Sequence, residues 1–265
     1  MCIRKAFLRF PVLALLLTLT SCGGGGGSLA EGGIGGTGIS TGPITGFGSI
    51  YVNGVEYDTQ TAEVLIEGDV AGTGDAVVLN NLAVGKVVTV EGSIPTGARA
   101  TASRVYFNDN VEGPLQAIAV VDADTRELTV LGQTVIADAD TRFENTTLGA
   151  LAVNNQLEVS GLVQPNGAIK ATFIEKKSAV FVDGGSVEVK GVVSNLDTLA
   201  RTFTLSAVTV DYSGADTSEL DAALAEGDSV EVKGVFSGGV LYATRLETED
   251  DLNISDSTAW LEIEG

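Results

Sequence analysis

Two short acidic runs are the best candidates for chemistry in this chain. Asp122-Ala123-Asp124-Thr125 and Asp138-Ala139-Asp140-Thr141 lie on either side of an expected hairpin. Hard cations take several oxygen ligands, and closely spaced aspartates supply them. Asp122, Asp124, Asp138 and Asp140 are therefore candidate calcium ligands. Neither run has the EF-hand spacing, with its central glycine and terminal glutamate. Asp and Thr also close turns by bonding their own backbone, so turn formation is the competing reading. Paired carboxylates run glycoside hydrolysis as well. Here the acids are spread over turns and strand faces. The single tryptophan, Trp260, makes a poor sugar platform, and an envelope polysaccharide hydrolase is only a remote alternative. The chain has no histidine, which removes Ser-His-Asp and Cys-His mechanisms and the common transition-metal sites. The glycine run Gly32 to Gly38 follows no strand and opens no helix, so a phosphate cradle fails on context. We expect no catalytic residues, no cofactor beyond a candidate calcium ion, and no enzyme.

Charge narrows the partners. The 265 residues hold 35 acidic and 15 basic side chains, a net charge of −20. That repels the phosphate backbone and excludes nucleic acid as a partner. It also opposes an electrostatic grip on anionic lipid. Membrane attachment is expected by another route. Arg4, Lys5 and Arg9 precede the short apolar core Phe10 to Leu19, which is too short to span a bilayer. Leu19-Thr20-Ser21-Cys22 then resembles a bacterial lipobox. The resemblance implies a signal peptide over 1–21 and a lipidated Cys22 as the mature N-terminus. Cys2 leaves with the signal, so no cysteine remains to pair and stability must come from packing. Gly23 and Gly24 follow the lipid site, and Gly23 stands where an aspartate usually holds Gram-negative lipoproteins at the inner membrane. The expected address is the cell envelope, at the outer membrane in a Gram-negative host. Residues 22–43 read as the lipidated cysteine and a Gly-rich tether, spanning about 25 Å as a coil.

The elements that must position any site are organised by a ten-residue phrase. It reads AVGKVVTVEG over 83–92, AVNNQLEVSG over 152–161 and AEGDSVEVKG over 225–234, with copies 69 and 73 residues apart. A period that long marks a repeated small domain. In the third copy Val230 and Val232 share one face, while Ser229, Glu231 and Lys233 share the other. This is the alternation of a strand with one buried and one wet side. The closing glycine marks a turn, bulge or barrel corner. Asn53-Gly54 sets a type I′ hairpin that pairs Val52 with Val55 and Ile50 with Tyr57. In the second unit, strands are expected at 114–121, 127–131, 133–137, 157–161 and 170–175, with a helical turn at 147–151. In the third unit, Ser218, Asp221, Leu220 and Leu224 predict a capped helix.

Three strands, a short helix and two strands in each unit is the order of the OB-fold. The expectation is all-β: three tandem OB-like barrels of five strands and a short helix, with a β-sandwich as the competing class. The barrels are placed at 44–108, 109–178 and 184–248, followed by an acidic tail at 249–265. OB-folds often bind ligands across strands two and three. The segments here carry Tyr51, Glu56 and Tyr57, or Thr129, Gln133 and Thr134, without positive charge, and read as barrel exteriors.

Gly35-Gly36-Thr37-Gly38 and the stretch from Gly46-Phe47-Gly48 to Val55-Glu56-Tyr57 resemble bacterial lipoproteins carrying domain-of-unknown-function family 5666. Val111-Glu112-Gly113-Pro114 and Leu128-Thr129-Val130-Leu131-Gly132-Gln133-Thr134-Val135 strengthen the resemblance. It implies no site residues. The functional expectation is a lipid-anchored scaffold or binding module for an envelope protein or polymer, with a calcium-dependent adhesion module as the alternative.

Overall fold

The computed structural model describes residues 38–249. The expected signal segment 1–21, Cys22, most of the tether and the tail beyond Glu249 lie outside the described residues. Among the described residues no helix is long and apolar enough to cross a membrane.

The first barrel contains β1 (Ile39–Gly46), β2 (Ile50–Val52), β3 (Val55–Asp58), β4 (Glu63–Ile66), β5 (Asp69–Thr73), α1 (Asp75–Asn81), β6 (Val87–Gly92) and β7 (Arg99–Phe107). The second contains β8 (Val111–Val120), β9 (Arg126–Val130), β10 (Gln133–Ala137), β11 (Arg142–Glu144), β12 (Gln156–Val163) and β13 (Ile169–Ser178). The third contains β14 (Gly185–Asp197), β15 (Thr202–Leu205), β16 (Val208–Asp211), β17 (Asp216–Glu219), β18 (Ser229–Ser237) and β19 (Val240–Thr248).

Each unit closes a five-stranded ring. The rings run β1-β2-β3-β7-β6, β8-β9-β10-β13-β12 and β14-β15-β16-β19-β18, the last strand pairing with the first. Ring neighbours are antiparallel except where β3 meets β7, β10 meets β13 and β16 meets β19, which are parallel. A short extra strand, β4, β11 or β17, lies parallel to β7, β13 or β19, on the edge opposite β6, β12 or β18. The fold is thus three tandem small β-barrels.

The glycine that closes the repeated phrase does the same work three times. Pairing slips by one residue at Gly92, Gly161 and Gly234. A Cβ there would sit 2.2 Å from the Thr101 carbonyl oxygen, 2.3 Å from that of Lys170 and 2.3 Å from that of Tyr242. The bulge bends the strand enough to close the barrel, and only glycine lets the two backbones approach so closely. At the Asn53-Gly54 turn both residues have positive φ, 49° and 77°, and the register is Val52 with Val55 and Ile50 with Tyr57.

Two expectations are corrected. The Gly-rich tether ends earlier than residue 43, because β1 begins at Ile39 and pairs with β6 from Glu91 to Val87. Asn53 supplies the packing that small residues lack. Its Nδ2 donates to Ser40 Oγ and to the Thr41 carbonyl, and its side chain fills the space beside Gly42. The helix expected in every unit is present as α1 in the first and as a single 3-10 turn, Leu148–Ala150, in the second. In the third, Asp216–Glu219 pairs with β19 instead, and the Asp216 carboxylate accepts from the Ser218 N–H. A short helix carries a nucleation cost that pairing with β19 avoids, and the strand wins here. Leu220 and Leu224 still pack against the core.

The barrels are joined in two ways. β8 and β14 pair antiparallel, Val111 with Val189 and Glu112 with Glu188, so barrels two and three share one twelve-stranded sheet and one apolar core. The first barrel keeps its own seven-stranded sheet and its own core.

Candidate functional site

The strand carrying the phrase has two faces, and in the second and third copies the middle of the outer one is not wet. In β12, Leu157 and Val159 point into the barrel, and Glu158 points out but is only 7% exposed. In β18, Val230 and Val232 point in, and the outward Glu231 is 5% exposed. The β8–β14 pairing brings these outer faces together. The Glu67 loop and Lys86 of the first barrel, with the linker residue Asp109, cover them.

Lysines thread the carboxylates. Lys86 meets Glu158 at 2.9 Å, with both side chains 9% exposed, and its ammonium lies 4.3 Å from the centre of the Phe107 ring. Lys177 reaches Glu158 at 2.9 Å and Glu175 at 3.3 Å. Lys190 bridges Glu231 at 3.2 Å and Glu249 at 2.9 Å. Lys233 meets Glu231 at 2.9 Å, Glu188 at 3.4 Å and Glu67 at 3.6 Å.

The carboxylates form two triads whose oxygens lie within 4.8 Å of one another: Glu67, Glu188 and Glu231, and Asp109, Glu112 and Glu158. Their environments push them apart. Burial raises Glu231, but Lys190 and Lys233 outweigh it and hold the carboxyl down at about 2. Burial, then Glu67 and Asp109, pushes Glu188 up to about 12. Burial opposes the Glu158 charge, yet Lys86 and Lys177 keep its pKa below the usual value. Asp109 is raised well above its ordinary value by burial and then by Glu67, Glu158 and Glu112. Lys190 and Lys233 lose some charge preference to burial but gain more from the carboxylates around them, and end raised.

Asp109 is fixed from both sides. Its N–H donates to Glu67 Oε1 at 2.9 Å. The next residue, Asn110, bonds Val159, Gly161 and Lys190 through backbone and side chain. Asp109 itself is 3% exposed, and its Oδ1 accepts no hydrogen bond and makes no ion pair among the described residues. Asp109, Glu112, Glu158, Lys86 and Lys177 line a cavity of about 500 Å³. Such a group of oxygens suits a hard cation, and it offers no nucleophile paired with a base.

The aspartates singled out in the sequence lie elsewhere. Asp122 Oδ1 accepts from the Asp124 N–H at 2.9 Å, and Asp138 Oδ1 accepts from the Asp140 N–H at 3.0 Å. Asp138 also pairs with Lys170 at 2.8 Å. None of Asp122, Asp124, Asp138 and Asp140 belongs to either triad. On the strand two–three face, Tyr51 is exposed. Tyr57 is buried in the first core, and Gln133 is buried with its Oε1 accepting from Ser206 of the third barrel, so these two are not barrel exteriors.

The sequence model of one family, a domain of unknown function (DUF5666), matches residues 41–105, 112–175 and 183–247, one match per barrel. A search of curated proteins found no match. The chain belongs to the DUF5666 family, as three tandem copies.

Proposed function

We propose that this DUF5666 protein is a lipid-anchored, non-catalytic scaffold of the cell envelope, holding three barrels as one body for a protein or polymer partner. The observation that carries the reading is the joining of the barrels. The β8–β14 pairing and the shared core fix barrels two and three, and a buried and a half-buried ion pair hold the first against them. A scaffold needs such fixed spacing, whereas flexible tandem domains would keep exposed linkers. The lipobox-like Cys22 supplies the anchor, and the charge of −20 keeps the array off nucleic acid and anionic lipid headgroups.

The test is metabolic labelling of the full chain with alkyne-tagged palmitate in a Gram-negative host. The expected result is label on the wild type in the outer-membrane fraction and none on Cys22→Ser. An unlabelled wild type, or equal label on the variant, overturns the anchor. Turnover of envelope polysaccharide by the purified chain overturns the non-catalytic half. A second reading, a calcium-dependent binding module, is favoured by one observation, the buried and unpartnered Asp109 oxygen beside two other carboxylates.

A further inference from the structure

We propose that the barrel junction is a calcium site, with Asp109, Glu112 and Glu158 as its protein ligands. This rests on neither the lipid anchor nor the scaffold role. It gives the calcium-dependent reading a location away from the Asp122–Asp140 turns.

Three observations carry it. The first is the unpartnered oxygen. Asp109 is 3% exposed and faces the cavity, and its Oδ1 has no donor among the described residues. A buried carboxylate oxygen without a donor is strongly unfavourable, and a bound cation removes the penalty. The second is charge. The two triads hold six carboxylates, and Lys86, Lys177, Lys190 and Lys233 are the four ammonium groups between them. Lys177 and Lys190 also serve Glu175 and Glu249, so carboxyl groups outnumber ammonium groups throughout the junction. Lys233 already occupies the triad of Glu67, Glu188 and Glu231, so the open position is at Asp109.

The third is access and ligand type. Glu112 Oε1 accepts from Gln156 Nε2 at 2.6 Å, which orients that carboxylate without neutralising it. Lys177 is 35% exposed and also contacts Glu175, so it can swing to Glu175 and release Glu158 Oε2. Lys86 is too buried to leave and continues to hold Oε1. All ligands are oxygens, which favours calcium or magnesium over the softer metals. Calcium takes six to eight ligands in loose geometry, and a cavity of about 500 Å³ has room for the waters that complete the shell. Magnesium demands a tight octahedron and is the poorer fit to three carboxylates set by three separate elements.

The experiment uses the full chain, stripped with EDTA and titrated with CaCl2 and separately with MgCl2 to about 10 mM, above the weakest dissociation constants of extracellular calcium modules. Unfolding midpoint and isothermal titration are read together. Asp109→Asn keeps the shape and the backbone bond to Glu67 while removing the carboxylate ligand. The expected result is one calcium per chain and a raised midpoint in the wild type. In Asp109→Asn the apparent affinity should fall at least tenfold, with the metal-free midpoint equal to or above wild type. A wild-type midpoint and heat signal indifferent to both ions overturn the site. So does a response to magnesium without calcium. The fourfold Asp→Asn variant at 122, 124, 138 and 140 is the control for the turns. Calcium binding lost there and retained in Asp109→Asn also overturns the proposal.

Discussion

Barrels two and three are joined as a protein core is built, and barrel one is docked as a salt bridge is built. The first joint is apolar and continuous: Val111 faces Val189, and the turn at Gly132 packs against Val208. The second joint links separate apolar cores through ion pairs and hydrogen bonds. Lys86 reaches Glu158, Lys233 reaches Glu67, and the Val87 N–H donates to Ser160 Oγ. The same repeat therefore supports two kinds of connection. Burial of apolar surface is not weakened by ionic screening or by titration, whereas charge pairs are open to both. The difference divides the chain into a permanent pair and a partner whose grip responds to conditions.

The largest effect is expected at the bulge glycines. Gly161→Ala drives a Cβ to 2.3 Å from the Lys170 carbonyl oxygen, and neither backbone can yield. It should cost about 3 kcal/mol or more. Because the core is common, calorimetry should show barrels two and three losing stability together while barrel one holds. Gly92→Ala should do the reverse. A third-barrel transition untouched by Gly161→Ala would break the claim of a single fused unit.

Lys86→Met probes the polar joint at constant volume and keeps the apolar contact with Phe107. Glu158 retains Lys177, so the loss is smaller than for a buried carboxylate stripped of every partner, about 2 kcal/mol. The loss should appear as weaker coupling of barrel one, with the barrel two–three transition shifted little. A stabilised variant would mean that desolvating the pair outweighs its attraction, and the docking would then rest on the hydrogen bonds at Val87 and Asp109.

These two joints were not equally legible in the sequence. The alternation around Val230 and Val232, the closing glycines and the Asn53-Gly54 turn depend on local sterics, which a single strand records. The barrels follow from them. The junction does not, because alternation separates the barrel interior from everything else and cannot distinguish water from a neighbouring barrel. Glu231 therefore reads as a wet position, and Asp109 as the first residue of the second barrel. The visible Asp122 and Asp138 runs attract notice by composition, yet their carboxylates are engaged in local turns. One signal did exist. Glu158 and Glu231 occupy the same place in successive copies of the phrase, where the first copy has Thr89. Ser218 to Leu224 shows the opposite failure: the apolar spacing was real, and Leu220 and Leu224 do pack on the core, but pairing with β19 displaced the helix.

The smallest expected effect concerns pH at the side of the polar joint where barrels one and three meet. Glu247 shares a cavity there with Glu67 and Tyr106 of barrel one. Burial, then the Glu231 charge and a hydrogen bond to Glu219, raise its carboxyl to about 7, with Arg245 and Lys233 opposing. Below its unfolded value of 4.5 the group is protonated in both states and contributes nothing. Between 4.5 and 7 the unfolded chain releases the proton and the folded chain keeps it, so stability falls as pH rises across that window. Above the window the full penalty stands. With the side chain 21% exposed, solvent screening reduces it to about 1 kcal/mol. Barrel one should therefore dock more tightly at pH 5.5 than at pH 8. Glu247→Gln should flatten that slope in calorimetric midpoints without moving the core transitions. An unchanged slope in the variant would place the pH response on Glu188 instead, and the polar joint would be sensitive at its centre rather than its edge.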